Sequence, residues 1–347
     1  MNLLKKLAAG TLAGAMMLSL AACGSSSSSA PASGAASGST ASTTGSNVLN
    51  VMVEVEVASL DPQLATDGTS FEVIANYTDG LMQMDADGQS VPAIAETYEV
   101  SEDGLTYTFH LREDAVWSNG DPVTADDFGF GWQRAVDPAN ASEYAYMIYD
   151  VGQIKNGAAI AAGEMDVTEL GVTAVDEHTL QVELEVPVSY FLSLMYFPTF
   201  YPVNRAFYES LDGGTFGTSP ETVLSNGAFI LDSYEPAALS FSLVKNPDYY
   251  DADNIQLDGL NYQVIKDSQQ ALMSYQNGDL DITKISGDQV DQAQGDPELS
   301  VHGAGYLWYI TMNSNDVEMF NNVNMRLALT HAVDRESIVN DVVKDGS

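Results

Sequence analysis

The chain has one cysteine, Cys23, among 347 residues. A lone thiol forms no internal disulfide, so the fold must be held by packing. Basic residues are scarce: 12 Lys and Arg stand against 49 Asp and Glu, a formal net charge of −37. That sign repels phosphate backbones and anionic headgroups, which excludes nucleic acid as a partner. Histidine is equally thin. His110, His178, His302 and His331 stand far apart, with none three or four residues from another histidine or the cysteine, so zinc spacing is absent. G-x-S-x-G, P-loop and G-x-G-x-x-G motifs are all missing. No pair stands out among the 49 carboxylates as a general acid and base. Asp248, Asp251, Asp253 and Asn254 cluster, but read best as a solvated loop. The expectation is a protein without catalysis, cofactor or metal.

Long apolar runs are lacking too, except at the start. Lys5 and Lys6 precede an apolar stretch from Leu7 to Leu20, which closes with Leu20-Ala21-Ala22-Cys23. The run is shorter than the ~20 residues a membrane span needs. Its order is that of a secretory signal peptide over residues 1–22. The last four residues resemble a bacterial lipobox, which implies a diacylglyceryl group on Cys23 and a membrane anchor outside the cytoplasm. Residues 24–46 are almost all Ser, Gly, Ala and Thr, with Pro31. Nothing there can build a core, so 23–47 reads as a flexible tether.

Order is expected from Val48. Val51, Val53, Val55 and Val57 alternate as a strand that ends at Asp61-Pro62. Ser70 to Tyr77 reads as a short helix. Asp87-Gly88 and Asp103-Gly104 are hairpin turns, the second before the alternating Leu105, Tyr107, Phe109 and Leu111. Thr124 caps a helix with Asp126 and Asp127 at its positive end and Phe128, Trp132 and Ala135 on its buried face. A hairpin turns at 176–178, ahead of Leu180, Val182 and Leu184. Another spans 227–245, with Phe229 and Leu231 against Phe241 and Leu243. Ser268 to Asn277 is helical and stops at Gly278. Leu280, Ile282 and Ile285 begin a further strand. Asn324 to Val343 is helical in two parts, restarted by Asp334. Strands and helices mix without regular βαβ alternation, so the class is mixed α/β, of the α+β kind.

Several blocks carry a family resemblance. Ala95, Asp103, Thr106, Tyr107, Phe109, Leu111, Arg112 and Asp114 form the first. Val116 to Ala125, Asp127-Phe128 and Trp132 to Pro138 continue it. Ser59-Leu60-Asp61-Pro62, Leu170-Gly171-Val172, Asn226-Gly227-Ala228, Tyr275 to Asp279, Arg326-Leu327-Ala328 and Ala332 to Arg335 follow in order. Together, over 48–344, they resemble the family 5 solute-binding proteins of ABC importers, and most closely the oligopeptide-binding branch.

The resemblance implies a two-lobed, periplasmic-binding-protein-like clamp with an extra domain. Residues 48–79 and 204–304 would form the first lobe, 80–203 the extra domain, and 305–347 the start of a second lobe. Family members continue well past Ser347, so most of that lobe is expected to be missing. The implied role is to capture oligopeptides and deliver them, as a monomer, to ABC permease subunits. Other solutes (nickel, a metallophore, a sugar) and a sensing or adhesive role remain open alternatives.

An extended peptide needs partners for its backbone groups, because each one enclosed without a partner costs a few kcal/mol. The resemblance places Ala65, Thr66, Asp67, Gly68 and Thr69 along such a peptide as part of a strand-like pairing. It places Tyr144 in the cleft and Tyr306, Trp308 and Tyr309 near the hinge crossing. Tyr275 and Asn277 are further ligand-binding candidates.

Overall fold

The computed structural model describes residues 47–301 and 309–344. The chain begins with β1 (Val48–Val53) and α1 (Gly68–Tyr77). β2 (Met82–Met84) and β3 (Ser90–Pro92) pair around Gly88, which takes φ +75°. β4 (Ala95–Val100) and β5 (Thr106–Leu111) follow, then α2 (Ala125–Val136). A single π-helical turn spans Met147–Val151, and α3 covers Gly157–Ala161. β6 (Val172–Asp176), β7 (Thr179–Glu183), α4 (Phe191–Leu194) and α5 (Arg205–Ser210) lead to β8 (Phe229–Ser233) and β9 (Ser240–Lys245). The described chain then runs through β10 (Gly259–Val264), α6 (Ser268–Asn277), α7 (Asp288–Ala293), α8 (Val323–Ala332) and α9 (Arg335–Ser337).

One four-stranded sheet has the order β1-β10-β9-β8. β1 lies parallel to β10, and the other pairs are antiparallel. α1 covers it with Val73, Ile74 and Tyr77, packed with Leu231, Phe241, Leu243, Leu260 and Tyr262. A second, antiparallel sheet has the order β4-β5-β7-β6. Phe109, Leu111, Leu180 and Val182 point from it into a core shared with Phe128, Trp132 and Ala135 of α2. These α2 positions fall at i, i+4 and i+7, one helical face. Thr124 accepts from the Asp127 N–H while the Asp127 carboxylate accepts from the Thr124 N–H, a reciprocal cap for the helix start.

Several polar bonds tie the two sheets' layers together. Arg134 of α2 reaches Asp61 at 2.6 Å and Gln63 at 2.7 Å, and both charged side chains are almost fully buried. The guanidinium also lies 4.3 Å from the Tyr208 ring centroid. Gln63 Nε2 donates to the Tyr201 carbonyl at 3.0 Å. The Ser118 N–H donates to the Ser225 carbonyl at 2.7 Å.

Three expectations from the sequence change. β1 stops at Val53, and Val55 is exposed, so the valine alternation outlasts the strand. α1 begins at Gly68, two residues earlier than expected. Leu280 to Ile285 forms no full strand. Ile282 makes a single parallel bridge to Val51, and Asp281 spends its carboxylate on the Asn50 N–H and side chain.

Candidate functional site

The turn after β1 sets the start of α1. The Leu64 and Ala65 N–H groups both donate to the Asp61 carbonyl, and the Tyr77 hydroxyl donates to the Leu60 carbonyl. Ala65 is buried in the core, whereas Thr66 and Gly68 are exposed. Asp67 is extended (φ −128°, ψ 156°) and accepts from the Ser70 N–H at 2.9 Å and the Ser70 hydroxyl at 2.6 Å. Gly68 and Thr69 therefore belong to the first helical turn. A helix's first N–H groups have no partner within the helix, and they sit at its positive end. So 65–69 is not one extended run. It presents Asp67 as extended backbone and then helix-start donors suited to carbonyl or carboxylate oxygens.

Tyr144 stands beside this helix start. The Ser142 hydroxyl donates to the Gln63 carbonyl at 2.6 Å, which ties the 142–146 segment to the turn before Ala65. The Tyr144 ring meets Phe71 of α1 edge-on at 5.4 Å and stacks on Phe197 at 5.6 Å. Tyr146 lies 5.6 Å from Tyr144, and Phe71 lies 4.9 Å from Phe197. The structure thus brings 66–69 and Tyr144 to one wall, with Ala65 buried behind it. Phe71, Tyr146 and Phe197 were missed from sequence, because they come from three separated segments and no local pattern marks them.

The remaining candidates lie apart from that wall. Tyr275 on α6 donates to Glu298, and Tyr309 is 79% exposed. Both line an open cavity of about 2880 Å³ bordered by residues of α7, α8 and the Ile338–Val343 turn. Asn277 is the last residue of α6, is exposed and does not line that cavity; neither do 65–69 and Tyr144. Cys23, Tyr306 and Trp308 lie outside the described residues.

A partly buried polar knot forms around Asp79. The Asp79 carboxylate accepts from the Tyr249 hydroxyl at 2.8 Å and the Tyr250 hydroxyl at 3.4 Å. Its backbone N–H donates to the Asn226 side chain at 2.9 Å, and its carbonyl accepts from the same amide at 3.3 Å. The Arg112 guanidinium lies 4.1 Å from the Tyr250 ring centroid. Burial outweighs the two hydroxyl bonds and pushes the Asp79 carboxyl up to about 6. Burial also raises Asp127, against the bonds it accepts from Thr124 and Trp117. Among the described residues no three His, Cys, Asp or Glu side chains are grouped to hold a metal ion. None of the described helices is long and apolar enough to cross a membrane.

Comparison with known proteins supplies the context for this wall. The oligopeptide-binding protein OppA of Bacillus subtilis is 36% identical over 306 residues, which are 86% of this chain and 55% of that protein. A solved structure of Listeria monocytogenes OppA bound to peptide is 35% identical, with a TM-score of 0.75, over 87% of this chain and 59% of that one. The solved pheromone receptor PrgZ is 34% identical, with a TM-score of 0.80, over 87% of this chain and 60% of that one. The chain therefore spans little more than half the length of these relatives. The family model described as the middle part of bacterial extracellular solute-binding proteins, family 5, matches residues 89–347. By that match, and by the mixed α/β fold it shares with solved peptide-binding proteins, the chain belongs to the family 5 bacterial extracellular solute-binding proteins.

Proposed function

We propose that this chain is the peptide-capturing part of an extracytoplasmic receptor, anchored to a bacterial membrane through acylated Cys23, that delivers oligopeptides to an ABC permease as a monomer. In this reading 48–79 and 204–304 form the first lobe, 80–203 the extra domain, and residues from 305 onward open the second lobe. The supporting observation is the wall itself: the α1 start and Tyr144 sit side by side in a chain that aligns over 87% of its length with a peptide-bound relative. Backbone donors at Gly68 and Thr69 would serve a peptide's carbonyls whatever its side chains are. Each such bond is worth roughly 0.5–1.5 kcal/mol net, so several must act together. No step of chemistry is required.

Gly68→Pro tests this reading. Proline is well tolerated at the first helical position. Asp67 is already extended, as the residue before a proline must be, and a β-carbon at 68 meets nothing within 4 Å. The substitution should keep α1 and delete one donor. Calorimetry with a set of unrelated peptides, on the full-length protein purified from membranes, should show a similar several-fold loss for all of them. Loss confined to one peptide, or no loss for any of them, would overturn the proposal. A sensing role is the second reading, favoured by the likeness to the pheromone receptor PrgZ. Labelled-peptide uptake by cells with and without the gene separates the two.

A further inference from the structure

Four aromatic rings converge beside the α1 start, and none is fully buried. Phe71, Tyr144 and Phe197 are half-buried, and Tyr146 is 40% exposed. Tyr144 and Phe197 are nearly parallel at 28°, while Phe71 meets them edge-on at 82° and 60°. Each ring keeps part of its surface in water, a cost that an occupant would remove. The rings come from α1, the 142–146 segment and the turn after α4. The Ser142 bond to the Gln63 carbonyl holds the second of these against the first.

We infer that this quartet is a subsite for an aromatic or large apolar side chain of the bound peptide, an inference that rests on the peptide-receptor reading above. The protein's own arginines argue against a cationic occupant. Arg112, Arg134 and Arg205 each lie over an aromatic ring, and each is also paired with a carboxylate: Asp114, Asp61 and Asp126. Among the described residues, rings that hold a cation come with an acid. At the quartet the neighbouring acids of α1 are turned elsewhere. Asp67 is spent on Ser70, and Glu72 interacts with Lys284. Glu143, exposed next to Tyr144 along the chain, makes lysine the necessary control. An edge-on or offset aromatic guest matches the geometry the rings already adopt among themselves.

The test is calorimetry with pentaalanine and its single-position Phe and Lys variants, on the full-length protein purified from membranes. One position should favour Phe over Ala by about tenfold, with no such gain for Lys. In Tyr146→Ala, and in Phe71→Leu as a milder second variant, the Phe-to-Ala ratio at that position should fall towards one. Gly68→Pro should weaken pentaalanine and its Phe variant alike and leave the ratio intact. If pentaalanine binds but no position favours Phe, the subsite falls and the receptor reading stands. A preference for Lys, or a Phe preference untouched by both aromatic variants, also overturns the subsite. If no member of the set binds, both fall together.

Discussion

Replacing Asp79 by Asn should change how stability depends on pH. The carboxyl's rise from its ordinary 3.8 to about 6 is driven first by burial, and the Tyr249 and Tyr250 hydroxyls only partly offset it. At about 1.36 kcal/mol per pH unit, such a rise corresponds to about 3 kcal/mol. The side chain keeps some contact with solvent, which lowers the expected effect to roughly 1.5–3 kcal/mol. A carboxyl whose pKa is raised on folding stabilises the folded state below its unfolded pKa. That contribution is lost as pH rises through about 6. Asparagine stays neutral throughout, and its amide oxygen still accepts from Tyr249. The unfolding free energy of the natural chain minus that of Asp79→Asn should therefore fall by roughly 1.5–3 kcal/mol between pH 4 and pH 7. Urea unfolding followed by fluorescence of the buried Trp117 and Trp132 measures it. Asp127, also raised by burial, is present in both proteins and cancels. A flat difference across that range, or one that grows with pH, would refute the reasoning.

Arg134→Ala leaves the Asp61 carboxylate buried without its partner and should cost about 3–5 kcal/mol in the same unfolding assay, part of it recovered when Asp61→Asn is added. Cys23→Ser should release the protein from membranes or stall its processing, because a diacylglyceryl group supplies the two chains that stable anchoring needs; fractionation of cells checks this. Leu327, Ile338 and Val342 are 49%, 44% and 66% exposed on the helical stretch after 323. With those side chains left in water, amide exchange across 309–344 should be far faster than in α2, and strong protection there would show that the segment is stable as it stands.

Much of the fold was legible because its signals are local. Thr124 and Asp127 cap α2 within one turn, Gly278 closes α6 at φ +80°, and Gly104 turns β4 into β5 at φ +70°. The inward residues of β5 and β7 follow from strict alternation. Where two local signals compete, sequence alone does not choose. Asp67 and Ser70 are both good caps, and the sequence favoured a helix from Ser70. The tertiary structure decides otherwise: the Ser70 hydroxyl accepts the Ala58 and Ser59 N–H groups, which leaves Asp67 to cap the helix two residues earlier. The alternation at 280–285 also promised a strand, but Asp281 locks onto Asn50 and only Ile282 pairs.

The candidate site was legible in part for the same physical reason. Tyr144 and 65–69 were marked by resemblance, and they meet through Phe71 and the Ser142 bond. The other rings and the Asp79 knot join residues far apart in sequence, so no window of the chain contains their signal. The two-residue shift at α1 also changes the chemistry of the wall. An extended 65–69 would offer donors and acceptors in alternation, as a strand does. A helix start offers donors only, aimed in one direction along its axis. A ligand at Gly68 and Thr69 must therefore bring oxygen atoms. That makes Gly68→Pro, which removes one donor and keeps the helix, a sharper probe of the wall than any side-chain truncation.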